Sequence, residues 1–136
     1  MNCNLFFVFN MVENNKKLEN AEKNKELCKD CTLCCDSITV ELRQPKGKED
    51  FERMIWLILH ENISIYQDPE GKWNLEVSTK CKALNKEGLC NMYSERPDIC
   101  SDYDQKGCDR YSGKPYYIQM FRTREDILEY IKKTFE

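Results

Sequence analysis

Histidine occurs once in this chain of 136 residues and glycine five times, and the sequence has neither a long apolar run nor a surplus of positive charge. Each shortage removes a class of function. Only His60 is present to activate a cysteine or serine nucleophile, so a histidine-based catalytic pair has little to draw on. The five scattered glycines form no P-loop and no G-x-G-x-x-G, and they supply no Gly-rich turn after a strand for S-adenosylmethionine. A G-x-S-x-G nucleophile elbow is also missing. A formal net charge of −3 argues against a protein built to grip phosphate backbones, so no nucleic-acid partner is expected. No stretch approaches the roughly twenty apolar residues of a membrane helix, so no membrane partner is expected either.

The N-terminal apolar run, Leu5 to Phe9, is shorter than a signal-peptide core and lacks a basic flank and a small-residue cleavage site. Cys3 precedes this run, whereas a lipoprotein cysteine would follow it. The expectation is a cytoplasmic protein in a reducing compartment, where disulfides are disfavoured.

What the chain has in abundance is cysteine. Four of its nine cysteines form one run, Cys28, Cys31, Cys34 and Cys35, spaced C-x2-C-x2-C-C. Cys81, Cys90, Cys100 and Cys108 follow after a gap long enough for a helix and a hairpin. A disulfide scaffold fits poorly with an odd total, no export signal and a chain long enough to form a core. Thiolates at two-residue spacing can instead turn from a tight loop onto one soft metal centre. Zinc would use closed four-cysteine sites, and eight thiolates suffice for two. An iron–sulfur cluster fits as well, although the x3-C-P that continues the bacterial ferredoxin pattern is absent. Adjacent Cys34 and Cys35 point apart on an extended backbone, so one is free to serve a second metal, pack, or act as a redox thiol.

Around the cysteines, periodicity predicts a small α+β domain. Residues 12–27 are charged and read as a solvated helix; residues 1–27 form a tail and residues 28–136 the cysteine-cluster domain. Ile38, Val40 and Leu42 alternate as one face of a half-buried strand, stopped by Pro45-Lys46-Gly47-Lys48. Phe51, Met54, Ile55, Ile58 and Leu59 follow helical spacing, with Trp56 and Leu57 widening the apolar surface. Asn62–Gln67 and Trp73–Ser78 flank Asp68-Pro69-Glu70-Gly71 as a hairpin. Ser94 is expected to cap a short helix over Glu95–Cys100 with Pro97 in its first turn. Tyr116–Phe121 reads as a strand, and Thr123 opens a terminal helix with Ile127, Leu128, Ile131 and Phe135 on its apolar side. His60 reads as a packed or capping residue; Arg96 reads as a salt-bridge partner or a donor to a thiolate.

The run Cys28 to Cys35, with Cys81-x2-Leu84-x3-Gly88-x-Cys90-x2-Tyr93-x2-Arg96-Pro97-x2-Cys100, resembles the YkgJ-like cysteine-cluster family, known by its CxxCxxCC signature. The resemblance covers roughly residues 28–108. It implies zinc or iron chelation by Cys28, Cys31, Cys34, Cys35, Cys81, Cys90 and Cys100, with Cys108 a weaker candidate. A flagellin lysine N-methylase carries a similar cluster, but this chain is little longer than the cluster domain.

The leading expectation is a cysteine-rich metal-binding protein, stapled by a site shared between the two cysteine groups and unfolded by chelation. A second reading is an iron–sulfur redox or protein-modification (methylase-like) accessory factor. A third is a zinc-stapled interaction module whose contact surface lies near Tyr111, Tyr116 and Tyr117. The sequence identifies no particular protein partner and leaves the oligomeric state open.

Overall fold

A computed structural model describes residues 31–102, 108 and 113–136. The expected tail, the helix over residues 12–27, Cys28, Tyr103, Asp104 and Tyr111 lie outside the described residues. The chain forms two compact units: residues 1–32 with 83–112, and residues 33–82 with 113–136.

The second unit is a four-stranded antiparallel sheet carrying two helices. Its elements are β1 (Ser37–Leu42), α1 (Lys48–Ile58), β2 (Ile63–Gln67), β3 (Trp73–Ser78), β4 (Gln119–Phe121) and α3 (Arg124–Phe135). A four-residue helix, α2 (Asp98–Ser101), belongs to the first unit. The strand order is β1-β3-β2-β4. Register aligns Val40 with Leu75, Leu75 with Ile65, and Ile65 with Phe121, so one apolar row crosses all four strands. Ile65, Trp73 and Phe121 on that face meet Phe51, Met54, Ile55 and Ile58 of α1 and Ile127 and Ile131 of α3. The rings of Trp73 and Phe121 stack at 5.4 Å, and Tyr130 lies edge-on to both. Burial of these side chains is the main force holding this unit together.

The turns and caps follow from local chemistry. In the β2–β3 turn, Asp68 Oδ1 accepts the N–H groups of Glu70 (3.0 Å) and Lys72 (2.9 Å). Gly71 takes a φ of 89°, which a side chain would resist. Asp50, in the first turn of α1, accepts the Lys46 N–H at 2.8 Å and lies beside Arg43 and Arg53. That backbone bond, aided by the two guanidinium charges, lowers the Asp50 pKa. The helix α3 begins with a complete capping box between Thr123 and Asp126. The Asp126 carboxyl is held below its ordinary value first by the Arg122 N–H and then by the Thr123 N–H. Among the described residues, no helix is long and apolar enough to cross a membrane.

The α+β class, the central helix, the hairpin and the C-terminal helix match expectation. Several details differ. Ile38 and Val40 are 55% and 50% exposed, because the residues that cover the sheet pack on Leu42, Leu75 and the strands beyond. Trp56 and Leu59 also stay in solvent, while Leu57 packs at the core margin. The expected strand over Tyr116–Phe121 is only Gln119–Phe121; Tyr116 turns its ring edge-on to Tyr66 and Tyr117. Ser94 caps no helix. It sits in a 3-10 turn, Tyr93–Glu95, and Pro97 occupies the N-cap position of α2 instead of its first turn.

Candidate metal centre

Among the described residues no cysteine belongs to a strand or to the core cluster; apart from Cys100, in the four-residue α2, they lie in turns and loops. Cys31 is half-buried just ahead of a 3-10 turn formed by Leu33–Cys35, in which Cys34 is exposed and Cys35 half-buried. The Asp36 N–H closes this turn on the Leu33 carbonyl at 3.2 Å. From there the β1–β3 ladder sets the geometry. Beyond the Ser37–Ser78 pair, Thr79 N–H donates to Asp36 (2.9 Å) and Cys81 N–H donates to Cys35 (2.6 Å). Continued ladder register would set Lys80 opposite Cys35; the 3-10 turn curls the chain by one residue, so Cys81 takes that carbonyl instead. The last cysteine of the first run and the first of the second group are thus joined through the backbone, within one unit.

In the other unit, Cys90 lies at the end of a tight loop. Leu84 and Cys90 form an antiparallel bridge, and Asn91 N–H donates to the Ala83 carbonyl at 2.8 Å. The Asn85 side-chain oxygen accepts the N–H groups of Glu87 (3.0 Å) and Leu89 (2.8 Å) and so shapes the loop from inside. Gly88 has a φ of 78°, and a Cβ built there would lie 3.5 Å from the methyl of Thr32. Thr32 follows Cys31, so this contact sets the middle of the first run against the loop that carries Cys90. Cys100 is exposed in α2, and Cys108 is buried.

The described part of this unit lacks an apolar core of its own: Cys108 is its one buried residue, while Leu89, Met92 and Ile99 are exposed. Among the described residues, no three cysteine, histidine or acidic side chains gather into a group that could hold a metal ion. The fit to zinc or iron therefore rests on the chemistry of the donors, which are thiols carried on short, backbone-bonded turns.

His60 behaves as its place at a helix end suggests. Its Nδ1 lies 2.9 Å from the Trp56 carbonyl and 3.3 Å from that of Leu57, and two carbonyl acceptors require the proton on Nδ1. The ring caps α1 and packs edge-on to Trp56. Arg96 differs from expectation: its Nε donates to the Tyr93 carbonyl at 3.0 Å, and its guanidinium lies 4.0 Å from the centre of the Tyr93 ring. It braces the turn before α2 by a cation–π contact. Thr32 and Asn85 escaped the sequence reading. Asn85 carried a usable signal in the Asn-x2-Gly spacing of a turn, but the position of Thr32 depends on a tertiary contact.

No curated protein and no solved structure matches the chain. The CxxCxxCC signature, described as a "putative zinc- or iron-chelating domain", matches residues 27–134 and takes in every cysteine placed above. With the match spanning most of its length, the chain belongs to the CxxCxxCC family of metal-chelating domains.

Proposed function

We propose that this chain chelates zinc or an iron–sulfur cluster through thiolates drawn from Cys28, Cys31, Cys34, Cys35, Cys81, Cys90, Cys100 and Cys108. The observation that supports this reading is the Cys35–Cys81 backbone bond, by which the end of the β1–β3 ladder brings one cysteine of each group side by side. The Thr32–Gly88 contact supports it independently within the other unit. So does the exposure of Leu89, Met92 and Ile99 in that unit: its described residues show no apolar core, and metal-binding energy can serve as folding energy. Bound zinc would act as a structural staple, whereas a cluster would add one-electron chemistry. Thiolate ligation calls for the reducing, cytoplasmic compartment.

The test is the metal and inorganic sulfide content of anaerobically purified, untagged protein. Stoichiometric zinc without sulfide assigns a structural site. Iron with matching sulfide assigns a cluster. Protein that folds fully and holds neither metal overturns the proposal.

A further inference from the structure

We propose that β1 is the docking edge for a second copy of this chain, joined antiparallel about a two-fold axis at Val40. Among the described residues β1 is an outer strand, since the order is β1-β3-β2-β4. The bond from Thr79 N–H to the Asp36 carbonyl fixes the parity of its ladder with β3. Residues 36, 38, 40 and 42 bond inward to β3, so the N–H and C=O groups of Ser37, Thr39 and Glu41 face away from the sheet.

Among the described residues this edge carries few of the usual protections, Glu41 being its one charged side chain. Ser37–Leu42 contains no proline, lysine or glycine, and all six residues pair with β3 without a bulge. The opposite edge, β4, is three residues long. Ile38 and Val40 lie on the helix-bearing face of the sheet yet remain half in solvent, so the apolar row running from Phe121 through Ile65 and Leu75 ends uncovered at β1.

The sequence of β1 is complementary to itself in one register. Two copies centred on Val40 set Ile38 against Leu42 and Val40 against Val40, extending the apolar face. Thr39 then meets Glu41 through a pair of outward backbone bonds, and Ser37 meets Arg43, so no like charges oppose. Val40 at the axis becomes a non-hydrogen-bonded pair, as the parity of the ladder requires. Centring on Thr39 instead would oppose Asp36 to Leu42. The contact is isologous, so it closes at a dimer.

Light scattering with size exclusion on the intact, metal-loaded chain tests this arrangement. The expected mass for the wild type is twice 16.2 kDa. V40K and V40E should each be monomeric, because like charges meet at the axis, and mixing the two should restore the dimer. T39P removes an outward N–H that serves no bond within the sheet, so it should give a folded monomer even if V40K fails to fold. A wild-type mass of 16.2 kDa at all attainable concentrations overturns the proposal, whether the edge is bare or covered by the chain's own residues. A dimer that persists in both V40K and T39P overturns it equally.

Discussion

The carbonyl of Cys35 accepts the backbone N–H of Cys81 at 2.6 Å, although β1, α1, β2 and β3 all lie between the two residues in sequence. Strand pairing thus brings one cysteine of each group side by side. Metal content should therefore respond to single thiol losses in either group. Cys34→Ser, Cys81→Ser and Cys90→Ser are each expected to lower bound metal well below the wild-type stoichiometry, measured by elemental analysis. His60→Ala should leave it unchanged, since that ring is engaged with the end of α1.

The core cluster of the sheet unit contains no cysteine. Removing metal with a chelator should therefore leave slow amide exchange at Ile65 and Phe121 intact, while exchange across residues 83–102 rises. This is narrower than the wholesale unfolding expected of a domain stapled by a site shared between the two cysteine groups. Loss of protection at Ile65 on chelation would show that the sheet depends on the metal after all.

Phe121 and Ile65 are fully buried and directly opposite one another on β4 and β2. Phe121→Ala should destabilise the protein by about 3–5 kcal/mol and Ile65→Ala by about 2–5 kcal/mol, through lost burial and the cavity left behind. Exposed Leu59, at the end of the same core helix, should cost no more than about 0.5 kcal/mol when changed to Ala. Denaturant titration separates the two classes.

Asp126 is the reciprocal partner of Thr123 in the capping box, and its folded-state pKa lies below the ordinary value of 3.8. Its contribution to stability is therefore complete above pH 3.8 and is lost as the pH falls through the lower folded-state value. Thr123→Ala should cost about 1 kcal/mol at neutral pH. Asp126→Asn should flatten the acid limb of the stability curve below pH 4, with little change in its slope near pH 7.

Gly88 combines a left-handed φ with a neighbouring Thr32 methyl. Space is adequate for a Cβ at 3.5 Å, so the backbone rather than a clash decides the outcome. Gly88→Asn should be tolerated, because asparagine enters this region readily, whereas Gly88→Val should cost about 1–2 kcal/mol and weaken metal retention. Competition with a chromogenic chelator would rank the three proteins.

Much of the sheet unit is legible in sequence because its signals are local. The helical spacing of Phe51, Met54, Ile55 and Ile58, the Asp68–Gly71 turn and the Thr123 cap each act within a few residues. The exposure of Ile38 and Val40 is not local. Alternation shows that they share a face, but whether anything covers that face depends on where the helices pack. Ser94 caps no helix because the helix begins only after Pro97, whose fixed φ suits the position just before the first turn as well as the first turn itself. In the candidate site, spacing identified the cysteines, but the Cys35–Cys81 bond and the Thr32–Gly88 contact come from tertiary structure that no spacing encodes.

The pairing of β4 with β2 has a bearing on biosynthesis. Phe121, Ile127 and Ile131 complete the core begun by Phe51 and Ile65, yet ribosomes deliver them only after the whole segment of residues 83–112. During translation the nascent sheet waits with one flank unfinished while the second cysteine group is already out of the exit tunnel. A premature stop between residues 109 and 118 would release a chain whose thiols are all present but whose sheet lacks β4 and the cover of α3, a natural substrate for chaperones and proteases.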